Sequence, residues 1–328
     1  MSKGVVVFDL DLTLGDFRAI DYFGLIYEPI SIAGRDAKTQ EARDIMIKTW
    51  NNYYSDKYHI EDFLAELRDT FEELLHKHKN IVNRILRPDL KKLLEQLVEG
   101  YKNNKIKEFI IYSNNASLYP LQYAGREIQK IFNHEIKFRY LDRTNKLRDE
   151  YDGVITGART KTVKTIEKLI KHSIKKEDLL FIDDMIPKHE DFDKFLEDTT
   201  NYINITPYYS EITDNELDTI WDIFEKVFTN LLEKHKLEIS DIVHIKKYLK
   251  ANDLDDLKNK YLEYSRERTP TVSYNPEDKI DVAIKTQIKP YILHLSKHRG
   301  GRIKKRTRKI KHRYTKRVRN YTEDSDLS

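Results

Sequence analysis

The segment VVVFDLDLTLGD, Val5–Asp16, places two carboxylates directly after a run of four apolar residues, three of which are β-branched. Such a run is typical of a strand that is covered on both faces within a parallel sheet. Asp9 and Asp11 follow at the point where this strand ends. The segment therefore predicts a central strand that delivers two acidic side chains to one edge of a sheet.

Two later segments, Phe109–Tyr112 and Leu179–Ile182, have the same apolar character, and each follows an amphipathic helical pattern. Polar residues again come directly after both segments: Ser113 and Asn114 after the first, and Asp183 and Asp184 after the second. Strands that alternate with helices in this way are typical of βαβ units. The sequence therefore predicts an α/β fold with a Rossmann-like, doubly wound parallel sheet.

An insertion interrupts this pattern between the first strand and Pro88, over an interval too long for a simple crossover. The interval carries a helical stripe of its own, formed by Leu64, Leu67, Phe71, Leu74 and Leu75. We interpret residues 22–83 as an inserted helical cap. Residues 1–21 and 84–205 then form the core of the fold.

The C-terminal third of the chain changes character after residue 205, where the strand signals fade. Apolar residues at helical spacing predict a helical extension over residues 206–268. Pro270 and Pro276 break helix, and we expect a linker over residues 269–290. Residues 291–328 form a basic tail that we expect to be disordered until it meets a partner.

The composition excludes several classes of protein. The chain contains no cysteine, which rules out disulfides, zinc thiolates and a thiol nucleophile within it. No apolar run approaches the length of a membrane span, and no apolar segment typical of a secretion signal precedes Asp9. We therefore expect an intracellular protein, cytoplasmic or nuclear, that is not secreted and has no transmembrane segment.

Four carboxylates are expected at the same edge of the sheet, because ligands of open parallel sheets bind outside the carboxyl ends of the strands. These are Asp9, Asp11, Asp183 and Asp184. Carboxylates this close repel one another unless a cation joins them. Mg²⁺ prefers oxygen ligands and keeps part of its hydration shell, so it suits such a site. The sequence therefore predicts a magnesium site.

The sequence DLDLT, Asp9–Thr13, resembles the DxDxT motif of the haloacid dehalogenase-like superfamily, whose phosphatases act through an aspartyl-phosphate intermediate. Ser113 resembles the small hydroxyl residue of the second family motif, and FIDD, Phe181–Asp184, resembles the fourth. Lys161 is similar to the lysine of the third motif, with Lys164, one helical turn further on, as the alternative. The resemblance covers the predicted core and says little about the rest of the chain.

The resemblance implies a role for each matching residue. Asp9 would be the nucleophile, and Asp11 would be the general acid and then the general base. Thr13 would orient the loop that carries them. The phosphate of a phosphorylated substrate would be held by Ser113, Asn114 and Lys161. The metal would be held by Asp9, the backbone carbonyl of Asp11, Asp183 and Asp184.

The aspartate at position 11 narrows the class within the superfamily. Family ATPases usually carry threonine there, and the dehalogenases lack this acid. Asp11 therefore favours Mg²⁺-dependent phosphomonoester hydrolysis or phosphomutase chemistry. The stretch DDMIPKHED, residues 183–191, resembles the DDxPxN form of the fourth motif, with His189 where asparagine is more usual.

The segment Lys297–Arg319 holds 13 Lys or Arg and no acid, although the whole chain has a net charge of only +4. A basic run this dense favours binding to a polyanion such as nucleic acid. A nuclear address, binding to anionic lipid, or a solubilising end are the alternatives. The tail and the composition also resemble those of proteins from large DNA viruses.

Two functions stay open on the sequence alone. The first is a Mg²⁺-dependent phosphatase that acts on an unspecified phosphomonoester. The second is a nucleic-acid-associated binding protein on a catalytically idle scaffold of the same fold. A polynucleotide phosphatase would combine the two.

Overall fold

The computed structural model describes residues 3–28, 40–55, 59–152, 154–155, 158–184, 201–266 and 277–296. Its strands, in chain order, are β1 (Gly4–Phe8), β2 (Ile106–Tyr112), β3 (Phe138–Leu141), β4 (Val154–Ile155), β5 (Ala158–Arg159), β6 (Leu179–Asp183) and β7 (Asn201–Asn204). Strands β4 and β5 form a small antiparallel pair, and the other five form one sheet in which every pairing is parallel. The predicted α/β class with a parallel sheet is confirmed.

The strand order β3-β2-β1-β6-β7 places β1 in the middle of the sheet. The chain builds outward through β2 and β3 and then crosses to the other side of β1 for β6 and β7, so the winding direction changes beside β1. The three strands predicted from the sequence are the three central ones. The edge strands β3 and β7 escaped prediction because they are only partly buried, and in β7 Ile203 is the single buried residue.

The helices, in chain order, are α1 (Arg18–Tyr27), α2 (Gln40–Ser55), α3 (His59–Lys77), α4 (Lys79–Ile85), α5 (Leu90–Lys102), α6 (Tyr119–Ile131), α7 (Lys146–Tyr151), α8 (Val163–Ile170), α9 (Asp214–His235), α10 (Leu254–Arg266) and α11 (Glu277–Ala283). Short 3-10 turns occupy Lys176–Asp178 and Ile239–Asp241, and π-helical turns occupy Ile245–Leu249 and Ile284–Ile288. Within the described ranges, none of the helices combines the length and the apolar character that a membrane span requires.

Both faces of β1 are covered, which explains its uninterrupted apolar sequence. Because successive side chains of a strand point to opposite faces, its residues divide between two clusters. Val5 and Val7 belong to a small cluster under α8, whereas Val6 and Phe8 belong to the main cluster under the other helices. A central strand buried in this way fixes the position of the residues that follow it.

The predicted cap and the predicted C-terminal extension share one apolar cluster with the sheet. The ring of Phe23 in α1 lies 4.8 Å from that of Phe71 in α3 and 4.7 Å from that of Phe224 in α9, centroid to centroid. Helix α1 also runs across the expected boundary at residue 22. The division into core, cap and extension therefore stays a prediction, but the helices of all three regions pack together.

The chain leaves the sheet region after β1 and returns to it at the same place. Gly15 and Leu86 form an antiparallel bridge, and the amide of Asp16 donates to the carbonyl of Ile85 over 2.7 Å. A Cβ atom added to Gly15 would lie 2.3 Å from that carbonyl oxygen, so a larger residue would force the two segments apart. Residues 17–84 are thus an insertion whose two ends touch.

Two predictions for the C-terminal region are wrong in part. These are the linker over residues 269–290 and the disordered tail over residues 291–328. Residues 277–296 are helical, with one π-helical turn. A buried stripe recurs every three or four residues along this C-terminal helix, formed by Ile280, Ile284, Ile288, Tyr291 and Leu295. This apolar spacing is the physical reason that the segment packs on the core instead of remaining extended. Residues 267–276 and 297–328 lie outside the described residues.

A buried histidine connects three separate regions of the chain. His244 is fully buried, and its Nε2 lies 3.0 Å from the carbonyl oxygen of Ile26. Because a carbonyl oxygen only accepts, Nε2 carries the proton and Nδ1 accepts from the hydroxyl of Tyr54 over 3.0 Å. Burial lowers the pKa of His244 from 6.5 to about 4. The folded protein therefore keeps this imidazole neutral in mild acid.

We expect the contribution of His244 to stability to fall as the pH drops from about 6.5 toward 4, because only the unfolded chain then protonates His244. Protonation of Asp9 and Asp184 in the folded protein acts in the opposite direction over the same range, so the contribution is read from a comparison with a variant. Above pH 6.5, the buried neutral His244 leaves the free energy of unfolding about 3 kcal/mol higher than it is once the pH lies below about 4. Urea unfolding of wild type and His244→Gln across this range measures it, and the free energy of unfolding of wild type relative to that of the variant should fall toward pH 4. His59→Gln, at an exposed histidine of α3, is the control. An unchanged pH dependence in His244→Gln would contradict the prediction.

Candidate active site

Three carboxylates meet at the carboxyl ends of two adjacent strands. Asp9 follows β1, Asp183 is the last residue of β6, and Asp184 comes next. The backbone amide of Asp9 donates to the carbonyl of Ile182 over 2.9 Å, which continues the pairing of β1 with β6 past the end of β1. Each of the three carboxylates offers an oxygen, and these oxygens all lie within 4.8 Å of one another. The central strands thus gather three buried acids at one point.

Lys161 joins this cluster. Its Nζ lies 2.7 Å from Oδ1 of Asp9 and 3.2 Å from Oδ2 of Asp183. Lys164, the alternative considered from the sequence, is exposed, and its Nζ lies 4.9 Å from the ring centroid of Tyr151 instead. The structure therefore brings Lys161, and not Lys164, to the carboxylates.

The carboxylates are held close together at a cost in electrostatic energy. Burial raises the pKa of Asp9 to about 6, although Lys161 opposes this and Asp183 adds to it. Burial raises the pKa of Asp184 to about 7, and the charges of Asp9 and Asp183 raise it further in the same direction. Burial acts to lower the pKa of Lys161, but Asp183 and Asp9 outweigh it, so this pKa is raised. One ammonium does not balance three carboxylates, and a bound cation would relieve the excess negative charge.

The donor set fits a hard divalent cation. Asp9, Asp183 and Asp184 supply carboxylate oxygens only, and no histidine among the described residues belongs to the cluster. Oxygen ligands in this number leave room for water, which is the coordination that Mg²⁺ favours. The structure thus supports one part of the cofactor prediction: these three carboxylates could hold a metal ion. The identity of the ion stays a prediction.

The loop after β1 is held in a tight conformation. Leu12 has a φ of 61°, and its amide donates to the carbonyl of Gly15 over 2.7 Å. The hydroxyl of Thr13, which is fully buried, donates to Oδ1 of Asp184 over 2.9 Å. Thr13 therefore connects the first loop to the acid after β6.

Arg87 holds the same loop through hydrogen bonds to its backbone carbonyls. Its side chain is fully buried, and it donates to the backbone carbonyls of Leu12 and Thr13, each over 2.8 Å. A third backbone acceptor is the carbonyl of Thr206. The sequence had not pointed to Arg87, which fixes the loop that carries Asp11.

Asp11 lies at the same edge but outside the three-carboxylate cluster. Oδ2 of Asp11 accepts from the hydroxyl of Ser113 over 3.4 Å. The Ser113 hydroxyl oxygen also accepts from the backbone amide of Asn115 over 3.0 Å, which fixes its orientation. The predicted residues Asp11 and Ser113 therefore face each other beside the cluster.

Arg148 is a second buried arginine at the site that the sequence did not indicate. It is fully buried, and its Nε donates to Oδ2 of Asp152 over 2.6 Å. Nη2 donates to the side-chain oxygen of Asn114 over 2.6 Å, and Nη1 donates to the backbone carbonyl of Ser113. The guanidinium also stacks over the ring of Tyr112, 4.7 Å from its centroid. Arg148 thus fixes the loop after β2, and it directs the amide nitrogen of Asn114 away from itself.

Helix α1 holds the far end of this loop. The side-chain amide of Asn115 donates to Oδ1 of Asp21 over 3.0 Å. Oε2 of Glu28 accepts from the hydroxyl of Ser117 and from the amide of Leu118, each over 2.8 Å. The residues that follow β2 are therefore fixed by contacts from α1 and α7.

The stretch after Asp184, including His189, lies outside the described residues. Comparisons with protein-family models, with curated proteins and with solved structures found no match to this chain.

Proposed function

We propose that the protein is a Mg²⁺-dependent phosphomonoester hydrolase of the haloacid dehalogenase-like type, which acts through an aspartyl-phosphate intermediate. The observation that carries the proposal is the position of Lys161 between Asp9 and Asp183, beside Asp184. An acidic nucleophile, a metal-binding pair of acids and a phosphate-binding cation are the groups that this chemistry requires.

The metal would be held by Asp9, Asp183 and Asp184, together with the backbone carbonyl of Asp11. When bound, the ion neutralises charge, so that an anionic carboxylate and an anionic phosphate can approach each other. Lys161 provides a second positive charge at the same point. The Asn114 amide, held through its oxygen by Arg148, and the Ser113 hydroxyl would donate to the phosphoryl oxygens.

In the first step, a carboxylate oxygen of Asp9 attacks phosphorus while the bond from phosphorus to the leaving oxygen breaks. Asp11 donates its proton to that oxygen, so the alcohol departs neutral. In the second step, Asp11 takes a proton from water, and the resulting nucleophile attacks phosphorus and releases Asp9. Inorganic phosphate leaves, and both aspartates return to their initial protonation states.

A catalytically idle scaffold is the alternative. The complete set of Asp9, Asp11, Asp183 and Lys161 at one edge of the sheet favours an enzyme, because a scaffold without activity has no need to keep buried acids in repulsive contact. We also propose that residues 22–83 form a cap over the predicted core, residues 1–21 and 84–205.

We expect hydrolysis of an aryl phosphate to fall to background when EDTA removes divalent cations, and to return when Mg²⁺ is added. Asp183→Asn should raise the Mg²⁺ concentration for half-maximal rate by about a hundredfold, because a ligand is lost. Asp142→Asn is the matched control, since Asp142 is a buried acid just after β3 that does not belong to the cluster. Metal-independent turnover would overturn the metal assignment. Mg²⁺ binding by calorimetry without any turnover would favour the idle scaffold.

A further inference from the structure

The loops that precede the strands form an edge of the sheet opposite the carboxylates. We call residues 3, 102–107, 133–137 and 171–178, which precede or begin β1, β2, β3 and β6, the amino edge. Its acids are Glu135, Glu177 and Asp178. Its lysines are more numerous: Lys3, Lys102, Lys105, Lys107, Lys137, Lys171, Lys175 and Lys176. Because every pairing in the five-stranded sheet is parallel, these residues lie at the same edge of that sheet.

A cavity of about 310 Å³ opens within the amino edge. Lys3, Lys107 and Lys175 line it, together with His172. Lys3 directly precedes β1, Lys107 belongs to β2, and Lys175 lies in the loop before β6. These three strands are neighbours in the sheet. Adjacent strands of a sheet lie about 4.8 Å apart, so the backbone segments that carry the three lysines are close neighbours. The cavity therefore has three positively charged side chains in its lining.

The negative charge near these lysines is limited. Asp178 also lines the cavity but is 2% exposed, and the imidazole of His294 lies 3.9 Å from its carboxylate. Glu108, one residue after Lys107, is paired with Arg139 over 2.9 Å, and its other carboxylate oxygen lies 4.0 Å from Nζ of Lys107. Among the residues that the structure describes, the lysines that line the cavity therefore outnumber its acids.

The C-terminal helix ends at the same edge. The hydroxyl of Tyr291 donates to the carbonyl of Asp178 over 2.7 Å and to that of Val5 over 3.2 Å. A Cβ atom added to Gly4 would lie 2.6 Å from Leu295, so the helix packs directly against the start of β1. The described part of this helix stops at residue 296, and the basic segment Lys297–Arg319 follows in the sequence. The chain thus enters its most basic segment beside the lysine-lined cavity.

We propose that the amino edge binds the sugar-phosphate backbone of a nucleic acid, and that Lys3, Lys107 and Lys175 each contact phosphate. Each strand of a duplex carries one phosphate per about 3.4 Å of helix axis, so phosphates are dense enough for each of three neighbouring lysines to meet one. A flat bilayer cannot enter a cavity, which argues against a membrane surface. The carboxylate cluster lies at the other end of β1, about 16 Å away for five residues. Nucleic acid bound here is held at a distance from the site of hydrolysis.

The test measures binding of the full chain to a labelled single-stranded oligonucleotide and to its duplex, by fluorescence anisotropy over a range of salt concentrations. The triple variant Lys3→Gln, Lys107→Gln, Lys175→Gln should reduce the slope of log affinity against log salt by about 2 to 3. Its affinity at moderate salt should fall by about tenfold or more. Its hydrolysis of an aryl phosphate should match wild type.

A control variant removes the same charge elsewhere: Lys91→Gln, Lys226→Gln and Lys246→Gln, at exposed lysines outside the amino edge. It should keep the wild-type slope. Equal slopes in both triple variants would overturn the proposal, because the lysines would then affect binding only through the net charge of the protein. Absence of nucleic-acid binding by wild type, or binding only to anionic vesicles, would overturn it as well.

Discussion

Asp9→Asn is expected to lower the rate of aryl phosphate hydrolysis by more than about a thousandfold, because it removes the proposed nucleophile. The same change also removes one of three mutually repelling carboxylates, although it breaks the contact with Lys161. The two effects on folding oppose each other, so we expect a melting temperature close to that of wild type. Steady-state kinetics and thermal unfolding measure the two quantities.

Asp11→Asn is the matched partner of this experiment. It should slow turnover by about a hundredfold to ten-thousandfold, since it removes only the acid and base. An aryl phosphate with an acidic leaving group needs little protonation, so the first step should still proceed and the second should stall. Acid-quenched Asp11→Asn should therefore retain labelled phosphate, whereas Asp9→Asn should retain none. Label on Asp9→Asn, or full activity in it, would disprove the nucleophile assignment.

Arg148→Met is expected to lower the free energy of unfolding by about 3–5 kcal/mol, because it leaves the carboxylate of Asp152 buried without its cationic partner. Both side chains are fully buried in the folded protein. The change also frees the loop at Ser113 and Asn114, so hydrolysis should fall even at temperatures where the variant stays folded. Urea unfolding, with activity measured well below the transition, separates the two effects.

The double variant Arg148→Met, Asp152→Asn tests the cause. Asp152 also accepts from the hydroxyls of Tyr112 and Thr165, and an asparagine oxygen can keep such bonds. Removing the buried charge should therefore recover part of the stability but not the activity, because Asn114 stays without its guanidinium donor. If Arg148→Met unfolds at the wild-type urea concentration, the buried pair has no structural role. Full activity in the double variant would show that Asn114 needs no support.

The central strands and their acids were predictable because both signals are local. Four consecutive apolar residues before Asp9, and a similar run before Asp183, define strands that need no tertiary information to recognise. The choice between Lys161 and Lys164 was not local, since the two stand only three residues apart around the N-terminus of α8. In the structure Lys161 precedes the helix and reaches the carboxylates, whereas Lys164 lies in its first turn and contacts Tyr151.

Arg148 shows a different limit of sequence reasoning. It stands four residues before Asp152, a spacing typical of solvated ion pairs on helix surfaces. Nothing in the sequence distinguishes a buried pair from an exposed one, and the acceptors at Ser113 and Asn114 lie far away in the chain. The C-terminal helix, by contrast, left a readable signal in the spacing of Ile284, Ile288 and Tyr291. The preceding prolines and the adjacent basic run give the opposite signal, since they favour a linker and a disordered tail.

The adjoining ends of residues 17–84 make this segment modular. Because the bridge holds Gly15 next to Leu86, the two ends of the segment stay equally close whatever the length of the chain between them. A segment of this kind can be lengthened, shortened or exchanged without a change in the distance that the core must close. The proposed chemistry at Asp9 and the specificity that the proposed cap would add can therefore diverge independently, provided that the contacts of Asp21 and Glu28 with the loop after β2 are kept.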